Sequence, residues 1–449
     1  MFNKEKIKEI IILATPVVIG QLGHVMMSVV DNIMVGKLGT IPLAAAALAN
    51  SLFMVIMIVG FGISLAITPL VAIAEGSGKQ DECGIILRQG LIVCVAAGLV
   101  LALTSMFTAE LMPYMNQPAE VVPLAQSYLK ILAWSILPVM LFQNYRQFSE
   151  GLSLMRPAMV ITLVANVLNV FVNWVFIFGH MGLPAMGLDG AGFATFTART
   201  FMGLAMMAYV MRSPRLQIYD PSLRFRKLDW PLMNKILKIG LPIGGQMFFE
   251  VSAFAGASVL AGWLGANALA AHQIALNLAS ITFMFAVGIA ATATVLVANA
   301  VGKGDSLAAR QSGFNALFFG LLMMSCFTAY YLTAREFLPS LYSSDPQVIG
   351  IAASLLVIAG IFQLSDGTQA IALGALRGLT DVKIPTVITF LAFWGFGLPV
   401  SYLFGFILDF GIEGIWWGLL SGLTASAILL TLRFYRQTKQ NFLIPIERI

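Results

Sequence analysis

Residues 16–39 read PVVIGQLGHVMMSVVDNIMVGKLG, and residues 242–265 read PIGGQMFFEVSAFAGASVLAGWLG. Each starts with Pro, closes on Leu-Gly, and is apolar for about the 20 residues that a membrane-spanning helix needs. An offset of 226 residues lays Pro16 on Pro242, Gly36 on Gly262, and Leu38-Gly39 on Leu264-Gly265. The register continues downstream. Ala44-Ala45 meets Ala270-Ala271, Gly62-Ile63 meets Gly288-Ile289, Val71-Ala72 meets Val297-Ala298, and Gly76 and Gly78 meet Gly302 and Gly304. At an offset of 227, Gly151-Leu152 falls on Gly378-Leu379 and Val160-Ile161-Thr162 on Val387-Ile388-Thr389. Apolar residues match by chance, but Gly and Pro at one offset mark an internal repeat.

The rest of the chain has the same character. Of its 449 residues, 59% are apolar and 10% are charged, with a mean hydropathy of +0.88. A soluble chain would carry about a quarter charged residues, so most of this surface faces lipid. Backbone groups in lipid must be paired within their own segment, which predicts helices near 10–35, 43–74, 86–112, 124–148, 157–179, 190–212, 238–263, 267–301, 311–333, 347–374, 384–408 and 414–436. The fold class read from this is an all-α integral membrane protein of twelve helices. Six spans separate the copies, so both halves insert with the same orientation. They form parallel lobes related by a pseudo-twofold along the membrane normal: residues 1–212, a linker at 213–235, and residues 236–449.

Orientation follows from the basic residues. Lys37 and Arg335 fall in the loops of one side, and Lys130 and Arg199 lie well inside spans. Nearly all other Lys and Arg gather on the opposite side, most densely as Arg212, Arg215, Arg224, Arg226, Lys227, Lys235 and Lys238. Basic loops stay cytoplasmic, so both termini are expected there, in a bacterial inner membrane. The net charge of +5 is a topology signal; no basic stripe interleaved with aromatics suggests nucleic acid. Lys4, Lys6 and Lys8 precede an apolar run too long for a signal-peptide core. Three scattered Cys and three scattered His give no disulfide framework or zinc pattern.

Ionisable residues inside spans cost roughly 2.5–3.5 kcal/mol each and mark function by default. Asp31, Glu250 and Asp366 are such residues, and neither Glu250 nor Asp366 has a basic neighbour on its own helix face. The alternative for each is an ion pair with Lys130 or Arg199, or a neutral acid bonded to backbone. Two carboxyls kept from water can share a proton or offer oxygens to a hard cation, which suits ion coupling; the residues do not choose between sodium and protons. The repeat places His24 at the position of Glu250, and an imidazole titrates near neutrality. Asn166, Asn169 and Asn173 make span 5 polar, with Asn169 and Asn173 on one face. His272, Gln273 and Asn277 do the same for span 8. Phe254, one turn after Glu250, is placed to lie against a bound cation, and 23 Met would supply an adaptable apolar wall.

Other energy sources lack their motifs. Gly76-Ser77-Gly78-Lys79 continues with Gln80 and is no phosphate loop. Hydrolase signatures are missing too. The expectation is therefore a secondary transporter, not an enzyme, and without a cofactor beyond its coupling ion.

The stretch at 16–39, FFEVSAFAG in span 7, AAHQIALNLASITFMF in span 8 and LSDGTQAIALGALRG in span 10 resemble the MATE multidrug and toxin extrusion transporters, in their bacterial NorM-type branch, over essentially the whole chain. The resemblance implies export of cationic, aromatic or amphipathic compounds in exchange for sodium or protons; a monomer in the bilayer is the expectation for its assembly. It implies Glu250 and Asp366 as the cation site, holding Na+ if sodium is coupled, with Phe254, Gln273, Phe283 and Phe362 around substrate and Ser51 facing the cleft. Asp31 with Asn169 and Asn173 would form the N-lobe polar site. Two positions depart from the family pattern: Asn173 stands where members often have an acid, and Phe362 where some sodium-coupled members have Tyr. The rival within the superfamily is a lipid-linked glycan flippase, which would need a cleft lined with Arg and Lys.

Overall fold

The computed structural model describes residues 4–223 and 228–439; Arg224, Arg226 and Lys227 of the basic connection lie outside them. Among the described residues there are twelve long helical segments and no strands. They are α1 (Lys4–Gly36), α2 (Thr40–Gly76), α3 (Gln80–Leu111), α4 (Val122–Gly151), α5 (Arg156–Phe178), α6 (Gly187–Arg212), α7 (Trp230–Trp263), α8 (Ala266–Gly302), α9 (Ser306–Thr333), α10 (Pro346–Gly378), α11 (Lys383–Ile407) and α12 (Gly411–Lys439). Eleven are long and apolar enough to cross a membrane. The other, α6, is less apolar, yet its 26 residues extend about 39 Å at 1.5 Å per residue, and it packs on α4 and α5.

Two compact units form, Ile19–Gly244 and Met1–Val18 with Gly245–Arg448. Their limits fall inside α1 and α7, two residues after Pro16 and Pro242. Both prolines lie within continuous helix.

In the first unit, a methyl group built on Gly62 of α2 would strike the backbone of Gly244, and one on Gly240 would lie 2.5 Å from the Cα of Ile63. Small residues let helix backbones approach this closely where lipid gives no hydrophobic drive. α2 is interrupted at Ala66 and α4 at Ser135. The Ser135 hydroxyl donates to Leu132 O at 2.6 Å and accepts from Arg199 Nη1 at 2.6 Å. Arg199 also stacks its guanidinium 4.6 Å from the Phe53 ring centroid.

In the second unit the same contact recurs in the repeat register. Gly288 of α8 packs on Val18 and, with 3.2 Å from a built methyl to oxygen, on Ala14 O. Gly39 and Gly265 open α2 and α8 at φ +118° and +112°, a region that favours glycine. The core gathers on Trp416, Phe362, Phe393 and the alanines of α7 and α8. In α11 the helix widens to π turns at Leu391–Gly397 and Leu403–Ile407, on either side of Pro399. Pro399 has no N–H to give, and in the first of these turns Trp394 Nε1 donates to Phe249 O of α7 at 3.1 Å.

Candidate functional site

The first unit holds a polar cluster on α1, α5 and α6. Asn173 Nδ2 donates to Asp31 Oδ1 at 2.5 Å and to Asn169 Oδ1 at 3.1 Å, and Thr195 reaches Asp31 Oδ2 at 3.4 Å. Both asparagines are fully buried, and Asn169 Nδ2 and Asn173 Oδ1 have no partner among the described residues. Buried amide atoms left open beside a carboxylate suit a small polar ligand or water. His24 lies two turns back along α1, its ring edge-on to Phe142 at 6.4 Å; the described contacts do not join it to Asp31. Asn166 donates to Gly23 O at 2.7 Å and fastens α5 to α1. The exposed Ser51 turns its hydroxyl onto Ala47 O of its own helix at 2.8 Å. Lys130 is engaged by Glu110 at 2.6 Å.

The second unit holds the carboxylates Glu250 on α7 and Asp366 on α10, which is 5% exposed and within electrostatic reach of Glu250. Gln246, one turn before Glu250, donates to its Oε2 at 3.2 Å. Among the described residues no side-chain hydrogen bond engages Asp366. Phe254 follows Glu250 by one turn, edge-on to Phe362 at 6.0 Å and Phe393 at 5.9 Å. Phe362 is 1% exposed and tilts on Trp416; it backs Phe254 from the core instead of forming a wall itself. Gln273 is exposed, 3.5 Å from Ser258 Oγ. Phe283 is half-buried on α8, and no described contact ties it to Glu250. Among the described residues no group of three or more His, Cys, Asp or Glu could hold a metal ion. Two carboxylates fit a weakly held monovalent cation or a proton better than Ca2+ or Mg2+, which take six or more ligands, and the Gln246 amide adds no ligand because its oxygen is taken by Arg377.

Two polar arrangements escaped the reading of spans. The Arg377 guanidinium donates from Nη2 to Gln246 Oε1 at 2.8 Å. With span 10 expected to stop at 374, Arg377 counted as a loop cation; α10 continues to Gly378. Arg146 and Glu150 form a buried ion pair on α4, Nε to Oε1 at 2.6 Å, with side chains 10% and 5% exposed. The signal was available, since the pair is spaced i, i+4, but FQNYRQFSEG looks like a polar helix end.

The comparisons with known proteins follow the same repeat. The MatE family model matches residues 16–175 and 242–403, two segments starting at the two prolines. The chain is 35% identical to the multidrug resistance protein NorM of Aliivibrio fischeri, covering 96% of this chain and 94% of that one. It is 35% identical to the multidrug resistance protein MdtK of Yersinia pseudotuberculosis, with 98% of both covered. Among solved structures, the fold is similar to a multidrug resistance MATE family transporter of the MOP superfamily, solved in an outward-facing conformation (TM-score 0.89, 21% identity, 98% of this chain and 99% of that one). It is also similar to the eukaryotic MATE transporter AtDTX14 (TM-score 0.86, 21% identity, 97% and 98% covered). A family model that takes both halves of the repeat, with relatives at this identity over nearly full length, places the chain: it belongs to the MatE family.

Proposed function

We propose that the chain is a multidrug efflux antiporter, exporting cationic and amphipathic organic compounds across a bacterial inner membrane in exchange for sodium or protons. It works as a monomer, with both termini cytoplasmic and lobes 1–212 and 236–449 joined by 213–235. The observation that carries the reading is the pair Glu250, half-buried, and Asp366, buried, in spanning helices, with a single side-chain hydrogen bond to their surroundings among the described residues. A carboxylate pair held inside spanning helices without a direct cationic partner is costly, and a coupling cation or a cationic drug relieves that cost. The two therefore compete for the same oxygens, with the ring of Phe254 available to an organic cation. Competition becomes transport if the site opens alternately to the two sides and the ion binds the two states unequally.

Ethidium efflux from energised right-side-out vesicles, with a sodium or a pH gradient imposed separately, tests this and identifies the ion. Glu250→Gln and Asp366→Asn should each abolish ion-driven efflux while the protein still folds. Wild-type efflux rates in both variants would overturn the assignment.

A further inference from the structure

Glu250, Gln246 and Arg377 form a chain in which every polarity is forced. A guanidinium only donates and a carboxylate only accepts, so the amide between them must turn its oxygen to Arg377 and its nitrogen to Glu250. Gln246 is 3% exposed, and among the described residues Arg377 Nε has no acceptor. The guanidinium is thus near enough for its charge to reach Glu250, yet one side chain too far to sit on its oxygens. The N-terminal repeat offers the contrast. The position equivalent to Arg377 is Glu150, and there the opposite charges touch, Arg146 to Glu150 at 2.6 Å. A touching pair is already neutral and has no need of an ion.

We propose that Arg377, held off by Gln246, is a positioning residue of the carboxylate site that sets its charge. Glu250 and Asp366 ionised, with Arg377, sum to a single negative charge, which one monovalent cation neutralises. Gln246 is the spacer that stops the guanidinium from taking the cation's place. The inference rests on Glu250 and Asp366 being the coupling site.

The test is ethidium efflux from proteoliposomes of the full chain, with Na+ titrated at fixed pH and pH titrated without Na+. In Arg377→Gln the half-saturating cation concentration should fall on the order of three- to tenfold, because a repelling charge is gone, and the maximal rate should fall with slower cation release. Arg377→Lys keeps the charge and should retain the wild-type half-saturation. Gln246→Ala should raise it, as Arg377 closes onto Glu250, and adding Arg377→Gln to that variant should bring it back. An unchanged half-saturation in Arg377→Gln, alongside a Glu250→Gln variant that has lost its cation dependence, would overturn the proposal alone. Cation dependence that survives in Glu250→Gln would remove the coupling site and this proposal with it.

Discussion

Gly62 and Gly244 meet backbone to backbone, so closely that a methyl group on Gly62 has nowhere to go. The contact has an image: Gly288, the repeat partner of Gly62, packs on Val18, the repeat partner of Gly244. The two differ in what yields, backbone in the first and the tip of a valine in the second. Gly62→Ala should therefore cost about 1–3 kcal/mol, the usual price of overpacking, and Gly288→Ala less. Gly350→Ala, with nothing within 4 Å of the added carbon, should be neutral or mildly stabilising by helix propensity. Thermal unfolding in detergent ranks the three; a neutral Gly62→Ala would contradict the contact.

That pair also shows what the sequence made legible. Helix positions follow from apolar run length, and Pro16, Gly62 and their partners mark the repeat because Gly and Pro are chosen for backbone reasons that apolar composition does not mimic. The neighbours Asp31 and Asn173 are 142 positions apart, and only the family resemblance grouped them. Arg377 was hidden because hydropathy cannot tell a buried helix end from a loop. The π turns of α11 were hidden as well, since hydrogen-bond slippage around Pro399 depends on what α11 packs against.

The ion pair on α4 yields a second prediction. Removing one partner leaves an uncompensated buried charge, so Arg146→Met or Glu150→Gln alone should lose about 3–5 kcal/mol. Arg146→Met with Glu150→Gln removes both charges and should recover most of that loss. A double-mutant cycle on the unfolding midpoint measures it, and strictly additive losses would mean the pair is not coupled.

The tautomer of His272 is readable from its partners. Trp416 Nε1 can only donate, and it faces His272 Nδ1 at 3.1 Å. The ring proton must then sit on Nε2, which donates to Ser258 Oγ at 3.0 Å, while the serine hydroxyl passes on to Phe254 O at 3.1 Å. Nitrogen NMR on histidine-labelled protein should show the Nε2–H form for this residue. Trp416→Phe should cost about 1–3 kcal/mol through the orphaned Nδ1, plus the cavity that the smaller ring leaves at a fully buried site. A signal for the Nδ1–H form would break the chain at its first link.

Asn173 uses both amide hydrogens, one on Asp31 and one on Asn169. Asn173→Leu removes the shortest donor to Asp31 and leaves the longer contact to Thr195 and the neighbouring Asn169. The expected loss is about 1.5–3 kcal/mol, seen as a lower unfolding midpoint and a lower efflux rate. Asn173→Asp is the sharper probe. It sets a second carboxyl where the amide now touches Asp31, and two carboxyls that close hold one proton between them. Below the titration of that shared proton the pair is bridged and the variant stable; above it two negative charges repel. The stability of Asn173→Asp should accordingly fall more steeply than that of the wild type as pH rises. Parallel curves for the two proteins would mean that the residue 173 side chain does not meet Asp31 in the membrane.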